Sequence, residues 1–163
     1  MGITIKPISR NHGDEIIAIY NYYIENSFAA YLETRVPPDF FEQFLKICEG
    51  YPAVVAEDET GSVLGFGLLR PFHAFPAFSR TAFITYFIKP GFTGKGTGTQ
   101  ILEYLIRQGK EKGITSILAD ISSLNLESIN FHRKNGFVEC GRLKKVGIKN
   151  GTVFDIVYMQ RKI

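Results

Sequence analysis

Residues 84–106 constrain the fold of this chain more than any other stretch. An apolar run rich in β-branched and aromatic residues, 83–88, predicts a buried strand that Pro90 ends. Three alternating glycines follow, and then apolar residues at helical spacing, Ile101, Leu102, Leu105 and Ile106. Backbone N–H groups at a helix start have no partner inside the helix, and glycines let an anion approach them closely. The stretch therefore predicts a phosphate-binding loop between a strand and a helix.

The spacing of the glycines excludes two familiar phosphate-binding motifs. A Walker A loop would need a glycine where Lys89 stands, and a dinucleotide-binding fingerprint would need one at Thr99. The observed pattern is glycine at alternate positions, Gly94, Gly96 and Gly98. A plain flexible turn is the alternative interpretation of these residues.

The bulk properties predict an ordinary globular protein. The 163 residues suggest a single domain, 1–163, and the composition of 45% hydrophobic and 21% charged residues is enough for a real core. A net charge of +3 does not by itself indicate a nucleic-acid partner, and it suits a small polyanionic ligand. Cys48 and Cys140 have no metal-site spacing and are expected to be buried, inert thiols. Without a signal peptide or a long apolar run, the expected compartment is the cytoplasm, with no membrane partner.

The hydrophobic periodicity predicts a mixed α/β (α+β) fold. Strands are expected at residues 3–8, 53–57, 63–69, 83–88, 116–121, 137–146 and 153–159. Helices are expected to begin near Asp14, Asp39, Gly98 and Asn125, whereas 28–36 and the phenylalanine-rich segment 71–80 are expected to be loops. Asn150-Gly151 predicts a hairpin turn. The element order predicts a twisted, largely antiparallel sheet with one parallel pair beside the glycine loop, flanked by about four helices.

Two motifs together resemble those of the GCN5-related N-acetyltransferases. Gly96 and Gly98 match the glycines of that family's acyl-CoA-binding loop, although Thr93 stands where the family has Arg or Gln. Downstream, Asn125 precedes a helix that ends in Phe131-His132-Arg133-Lys134-Asn135-Gly136-Phe137, which is similar to the family's second motif. The histidine and the tail around Asp155 resemble the phosphinothricin and methionine-sulfoximine acetyltransferase branch, from Ile3 to Arg161.

This resemblance implies acetyl-CoA as the co-substrate, with no metal, and direct attack on the thioester by the amino group of a small molecule. It also implies a homodimer, which the apolar segment 71–80 independently suggests. The implied cofactor-binding residues are Tyr86, Phe87, Ile88, Thr93, Gly94, Lys95, Gly96, Thr97, Gly98, Asn125 and His132. His132 and Tyr86 are the catalytic candidates, and the candidate acceptor-pocket residues are Phe28, Tyr31, Phe72, His73 and Phe83.

One departure from the branch concerns the general base. Phe83 occupies the position where the branch has a glutamate, and a phenylalanine cannot take a proton. His73 and Tyr86 are the candidate replacements. Two other functions stay open, namely a non-catalytic acyl-CoA-binding module and a nucleic-acid-binding domain that uses Arg142, Lys144 and Lys145.

Overall fold

The computed structural model describes residues 2–163. Within them, seven strands form one sheet in the order β1-β2-β3-β4-β5-β7-β6. Neighbouring strands are antiparallel except for β4 and β5, which are parallel. The predicted fold class, with its single parallel pair beside the glycine loop, is confirmed. The strands are β1 Thr4–Pro7, β2 Ala53–Glu57, β3 Val63–Pro71, β4 Thr81–Ile88, β5 Ser116–Ser122, β6 Val138–Lys149 and β7 Thr152–Lys162.

Four α-helices cover the two faces of the sheet. They are α1 Gly13–Asn26, α2 Phe41–Ile47, α3 Thr97–Glu111 and α4 Leu126–Lys134, with short 3₁₀ helices at Arg10–His12, Pro38–Phe40 and Pro76–Phe78. Ile101 and Leu105 of α3 belong to the core cluster on one face, and Ile16 and Phe41 of α1 and α2 belong to the cluster on the other. Because side chains alternate along a strand, the central strands contribute to both clusters.

The parallel strands β4 and β5 stay paired over a short distance only. Their register runs from Thr81 opposite Ser116 to Phe83 opposite Leu118. Beyond Phe83, β4 continues to Ile88 and β5 to Ser122 without further pairing to each other. The two strands therefore diverge, and the opening between them positions the site described below.

Two predictions about the second half of the chain need correction. Strand β6 reaches Lys149 rather than ending near Val146, because it continues through register shifts and through Lys145, whose φ is 55°. Cys140 is exposed, so the expectation that both thiols are buried holds only for Cys48. Cys140 lies on β6, one of the two edge strands of the sheet, which has a neighbour on one side only. Among residues 2–163, no helix is both long and apolar enough to cross a membrane.

Candidate active site

A cleft of about 1070 Å³ opens where β4 and β5 diverge. Residues from all four helices and from the glycine loop, residues 93–98, form its walls. Most of the predicted cofactor-binding residues lie along it. The predicted site residues that line the cleft are Tyr31, Tyr86, Phe87, Ile88, Thr93, Gly94, Gly96, Gly98, Asn125 and His132.

The glycine loop leads directly into the first turn of α3. Gly96 is the N-cap residue, its φ is 87°, and a Cβ added there would meet no atom within 4 Å. Within the described chain, none of the hydrogen bonds uses a backbone N–H of residues 93–99 as its donor. These free donors and the positive end of the α3 dipole make the loop suitable for an anion.

Two predicted loop residues do not line the cleft. Thr97 is 2% exposed, so its side chain faces the protein interior. Lys95 is exposed, and its Nζ lies 5.1 Å from the centroid of the Phe92 ring. Any contact of these residues with a bound phosphate remains a prediction.

Tyr86 and His132 form a hydrogen-bonded pair inside the cleft. The Tyr86 hydroxyl lies 2.6 Å from His132 Nε2, and His132 Nδ1 lies 2.6 Å from the carbonyl oxygen of Ser128. A carbonyl can only accept, so Nδ1 carries the proton, and Nε2 accepts from the tyrosine. Burial lowers the pKa of His132 to about 4, and burial also raises the pKa of Tyr86 well above its ordinary value. At neutral pH the pair is therefore a neutral imidazole and a protonated hydroxyl.

Asn125 has a structural role in addition to its position on the cleft. It is the N-cap residue of α4, and its side-chain oxygen accepts from the backbone N–H of Ser128 at 3.2 Å. Its side-chain amide is used by no hydrogen bond within the described part of the chain, so it can still donate to a ligand.

A charged pair that the sequence did not reveal lies in the same cleft. Arg70 Nη2 is 3.1 Å from Asp120 Oδ1, and Arg70 Nε donates to Thr85 Oγ1 at 3.1 Å. The Arg70 guanidinium also stacks on the Phe83 ring, 4.5 Å from its centroid. Burial raises the pKa of Asp120, and the charge of Arg70 partly opposes that rise.

Four of the five predicted acceptor-pocket residues lie outside the lining of the cleft. Phe28 packs against Phe154, with 5.8 Å between ring centroids, and Phe72 packs against Phe83 at 5.6 Å. His73 lies in the exposed segment after β3, beside Phe75 at 4.9 Å. Phe83 occupies the last position of β4 that pairs with β5, before these two strands diverge. The segment after β3 is thus placed at the closed end of the strand pair, so Phe72, His73 and Phe83 do not reach the cleft wall.

A buried lysine anchors a segment of the chain that lines the cleft. Lys149 is 2% exposed, and its Nζ donates to the carbonyl oxygens of Ile24, Ser27 and Ala30, each at 2.7 Å. Burial lowers the pKa of Lys149. These bonds connect the β6–β7 hairpin to the end of α1 and to the segment that carries Tyr31. A lysine directly before Asn150-Gly151 gave no signal of this role.

Among residues 2–163, no group of three or more His, Cys, Asp or Glu side chains could hold a metal ion. The polar groups of the cleft are instead suited to bind an anion at the glycine loop and to transfer protons near Tyr86 and Asp120.

Comparison with known proteins agrees with this geometry. The sequence model of the acetyltransferase (GNAT) family matches residues 16–137. The chain is 34% identical over 147 residues to L-methionine sulfoximine/L-methionine sulfone acetyltransferase of Pseudomonas aeruginosa, and the match covers 89% of this chain and 86% of that protein.

Two solved structures are similar over nearly the whole chain. A GNAT superfamily phosphinothricin acetyltransferase from Sinorhizobium meliloti, in complex with AcCoA, superimposes with a TM-score of 0.93 at 30% identity, covering 100% of this chain and 89% of that one. A ribosomal-protein-alanine N-acetyltransferase from Brucella melitensis superimposes with a TM-score of 0.92 at 33% identity, covering 98% of this chain and 99% of that one.

Proposed function

Since this chain belongs to the acetyltransferase (GNAT) family, we propose that it transfers the acetyl group of acetyl-CoA to the amino group of a small molecule. The single observation that carries the proposal is the cleft at the divergence of β4 and β5. It brings an anion-binding helix start and a proton-donating tyrosine to one cavity. A phosphate-bearing thioester and a nucleophile could therefore meet there.

The glycine loop would hold the pyrophosphate of acetyl-CoA. Its free N–H groups would donate to the phosphate oxygens, and the open space at Gly96 would let those oxygens approach the backbone. The pantetheine arm would run between the diverging strands, past Phe87 and Ile88, where the amide of Asn125 could donate to it.

Tyr86 would supply the proton that the departing thiolate needs. Its raised pKa keeps the hydroxyl protonated at neutral pH. His132 would orient this hydroxyl, because its own lowered pKa keeps Nε2 free to accept a hydrogen bond. For the Tyr86 hydroxyl to donate to the sulfur, its hydrogen bond to His132 has to break. Tyr86 then regains a proton from solvent.

The acceptor we propose is an amino acid or an amino-acid analogue such as methionine sulfoximine or phosphinothricin. The names of the relatives support this class of acceptor. A direct test is release of CoA thiol from acetyl-CoA in the presence of single amines, with L-methionine sulfoximine, phosphinothricin, common L-amino acids and an alanyl peptide as the panel. We expect amine-dependent release with at least one free amino acid or analogue. Release with none of the amines would refute the function, and release with the peptide alone would refute the acceptor class.

We further propose a single acetyltransferase domain, 1–163, that works in the cytoplasm as a homodimer, with no nucleic-acid or membrane partner. The dimer is supported by exposed apolar rings in segment 71–80, above all Phe75, which is 65% exposed. The basic cluster around Lys144 is weakened as a nucleic-acid site because Arg142 pairs with Asp155 at 2.8 Å. Sedimentation should give a dimer for the parent protein and a shift toward monomer for Phe75→Ser; a parent protein that sediments as a monomer at micromolar concentration would exclude the dimer.

A further inference from the structure

Phe83 leaves the proposed reaction without a side-chain base, yet the same face of the sheet carries another carboxylate. Phe83 pairs with Arg70 across β3 and with Leu118 across β5, and paired residues point to the same face. Asp120 lies two residues beyond Leu118, so its side chain also points to this face. The displacement along β5 is toward the opening, where the strands are no longer paired, and Asp120 lines the cleft.

The contacts of Asp120 fix its carboxylate without using all of its acceptor sites. Oδ1 accepts from Arg70 Nη2, and no other side chain within residues 2–163 donates a hydrogen bond to the carboxylate. The Asp120 side chain is 26% exposed. The Tyr31 hydroxyl donates to the backbone carbonyl of Asp120 at 3.0 Å, which holds this part of β5 against the segment after α1. Oδ2 therefore remains available to a ligand in the cleft.

We propose that Asp120 is the general base of this acetyltransferase and that Arg70 positions its carboxylate. The inference rests on the proposed function. The ammonium group of the acceptor gives one proton to Asp120, and the nitrogen lone pair forms the N–C bond to the acetyl carbonyl carbon. The C–S bond then breaks, and sulfur leaves as a thiolate. Tyr86 protonates this thiolate and regains a proton from solvent, while the nitrogen releases its second proton to solvent. The products are the amide, free CoA thiol and the proton on Asp120, which passes to solvent.

The surroundings of Asp120 suit this task. A base works best when its pKa lies nearer the working pH than that of a free aspartate, and burial moves the pKa of Asp120 in that direction. The ionisable groups that face it are Arg70 from β3, Tyr31 from the segment after α1 and Tyr158, its register partner on β7. Arg70 is the cation of this group, and its charge opposes the rise that burial causes in the pKa of Asp120.

The first test compares Asp120→Asn with the parent protein, using the fastest amine of the thiol-release panel. Near pH 7 we expect a loss of about 10²–10⁴-fold in kcat/KM, which shrinks as the pH approaches the pKa of the amine, because free amine then needs no base. Asp39→Asn removes one exposed carboxylate from the 3₁₀ helix Pro38–Phe40 and should change the rate less than about twofold. Calorimetry should show unchanged acetyl-CoA affinity for Asp120→Asn, which reports an intact cofactor site independently of turnover.

Two further variants separate a base from a residue that merely supports the fold. Arg70→Met removes the charge that lowers the pKa of Asp120, so the acid limb of the kcat/KM profile should move to higher pH. The double variant Asp120→Asn with Phe83→Glu returns a carboxylate to the same face and should recover part of the lost rate near pH 7. If the parent protein turns over and Asp120→Asn retains its rate and pH profile, Asp120 is not the base. If the parent protein turns over no amine, the proposed function itself fails.

Discussion

Acidification should destabilise this protein through His132. The imidazole is 4% exposed, and burial lowers its pKa from about 6.5 to about 4. Between these two values the unfolded chain binds a proton that the folded chain does not bind, so the free energy of unfolding falls as the pH falls from 7 through 6.5 toward 4. With these two pKa values, the contribution of His132 to the loss between pH 7 and pH 5 is about 2 kcal/mol.

Urea unfolding of the parent protein and of His132→Gln at about pH 7 and about pH 5 measures this contribution. Glutamine does not titrate, so the variant should lose about 2 kcal/mol less than the parent protein over this interval, whatever its stability at pH 7. Carboxylates with lowered pKa values, such as Glu57 and Asp58, affect both proteins equally and cancel in the comparison. An equal loss in His132→Gln and in the parent protein would refute the assignment of a buried neutral imidazole.

Two further substitutions test the glycine loop and the buried lysine. Gly96→Leu and Gly91→Leu both place a side chain at a positive φ, 87° and 85°, with open space around the Cβ, so each should cost about 1–2 kcal/mol of stability. Of these two glycines only Gly96 lines the cleft, so calorimetry should show loss of acetyl-CoA binding for Gly96→Leu alone. Equal acetyl-CoA affinities of the two variants would contradict the role of the glycine loop. Lys149→Met leaves three carbonyls, two of them buried, without their donor and should lower the free energy of unfolding by about 3 kcal/mol. Lys144→Met, at an exposed position of the same strand, should leave the urea midpoint within error. A similar midpoint for both variants would contradict the role of Lys149.

Local patterns allowed the sequence to predict the fold and the cofactor end of the site. The predicted turn at Asn150-Gly151 has φ values of 49° and 79°, and the helix end at Gly136 has a φ of 82°. The glycine loop follows a strand and opens a helix, as its spacing predicts. Each of these features depends on residues that are close in sequence, so residue propensity and hydrophobic periodicity are enough to predict it.

The part of the cleft around Arg70 and Asp120 could not be predicted from the sequence, because it depends on strand register. Arg70 and Asp120 are 50 residues apart and meet only because β4 lies between their strands at a particular register. Asp120 is the only charged residue of β5, which was the available signal for it, and this signal does not identify a partner. The sequence named Phe72 and His73 because their loop is apolar and aromatic, but composition does not give the direction in which a loop folds.

The stacking of Arg70 on Phe83 couples the missing glutamate to the carboxylate that replaces it. A guanidinium that stacks on the ring at 4.5 Å while it donates to Thr85 and Asp120 is fixed on three sides. A glutamate at residue 83 would remove the stacking surface and would offer Arg70 a second carboxylate. Phe83→Glu in the parent protein should therefore weaken the hold on Asp120, and its rate near pH 7 should stay equal to or fall below that of the parent.

The same substitution should have the opposite effect when Asp120 is replaced by asparagine, because the introduced glutamate would then be the only carboxylate beside Arg70. The measurement is kcat/KM near pH 7 for the four proteins that combine Phe83 or Phe83→Glu with Asp120 or Asp120→Asn, with the same amine throughout. If Phe83→Glu raises kcat/KM only in the Asp120→Asn background, the reaction needs a single carboxylate on this face of the sheet, positioned by Arg70. If Phe83→Glu raises the rate by the same factor in both backgrounds, the two positions act independently, and the coupling through Arg70 is wrong.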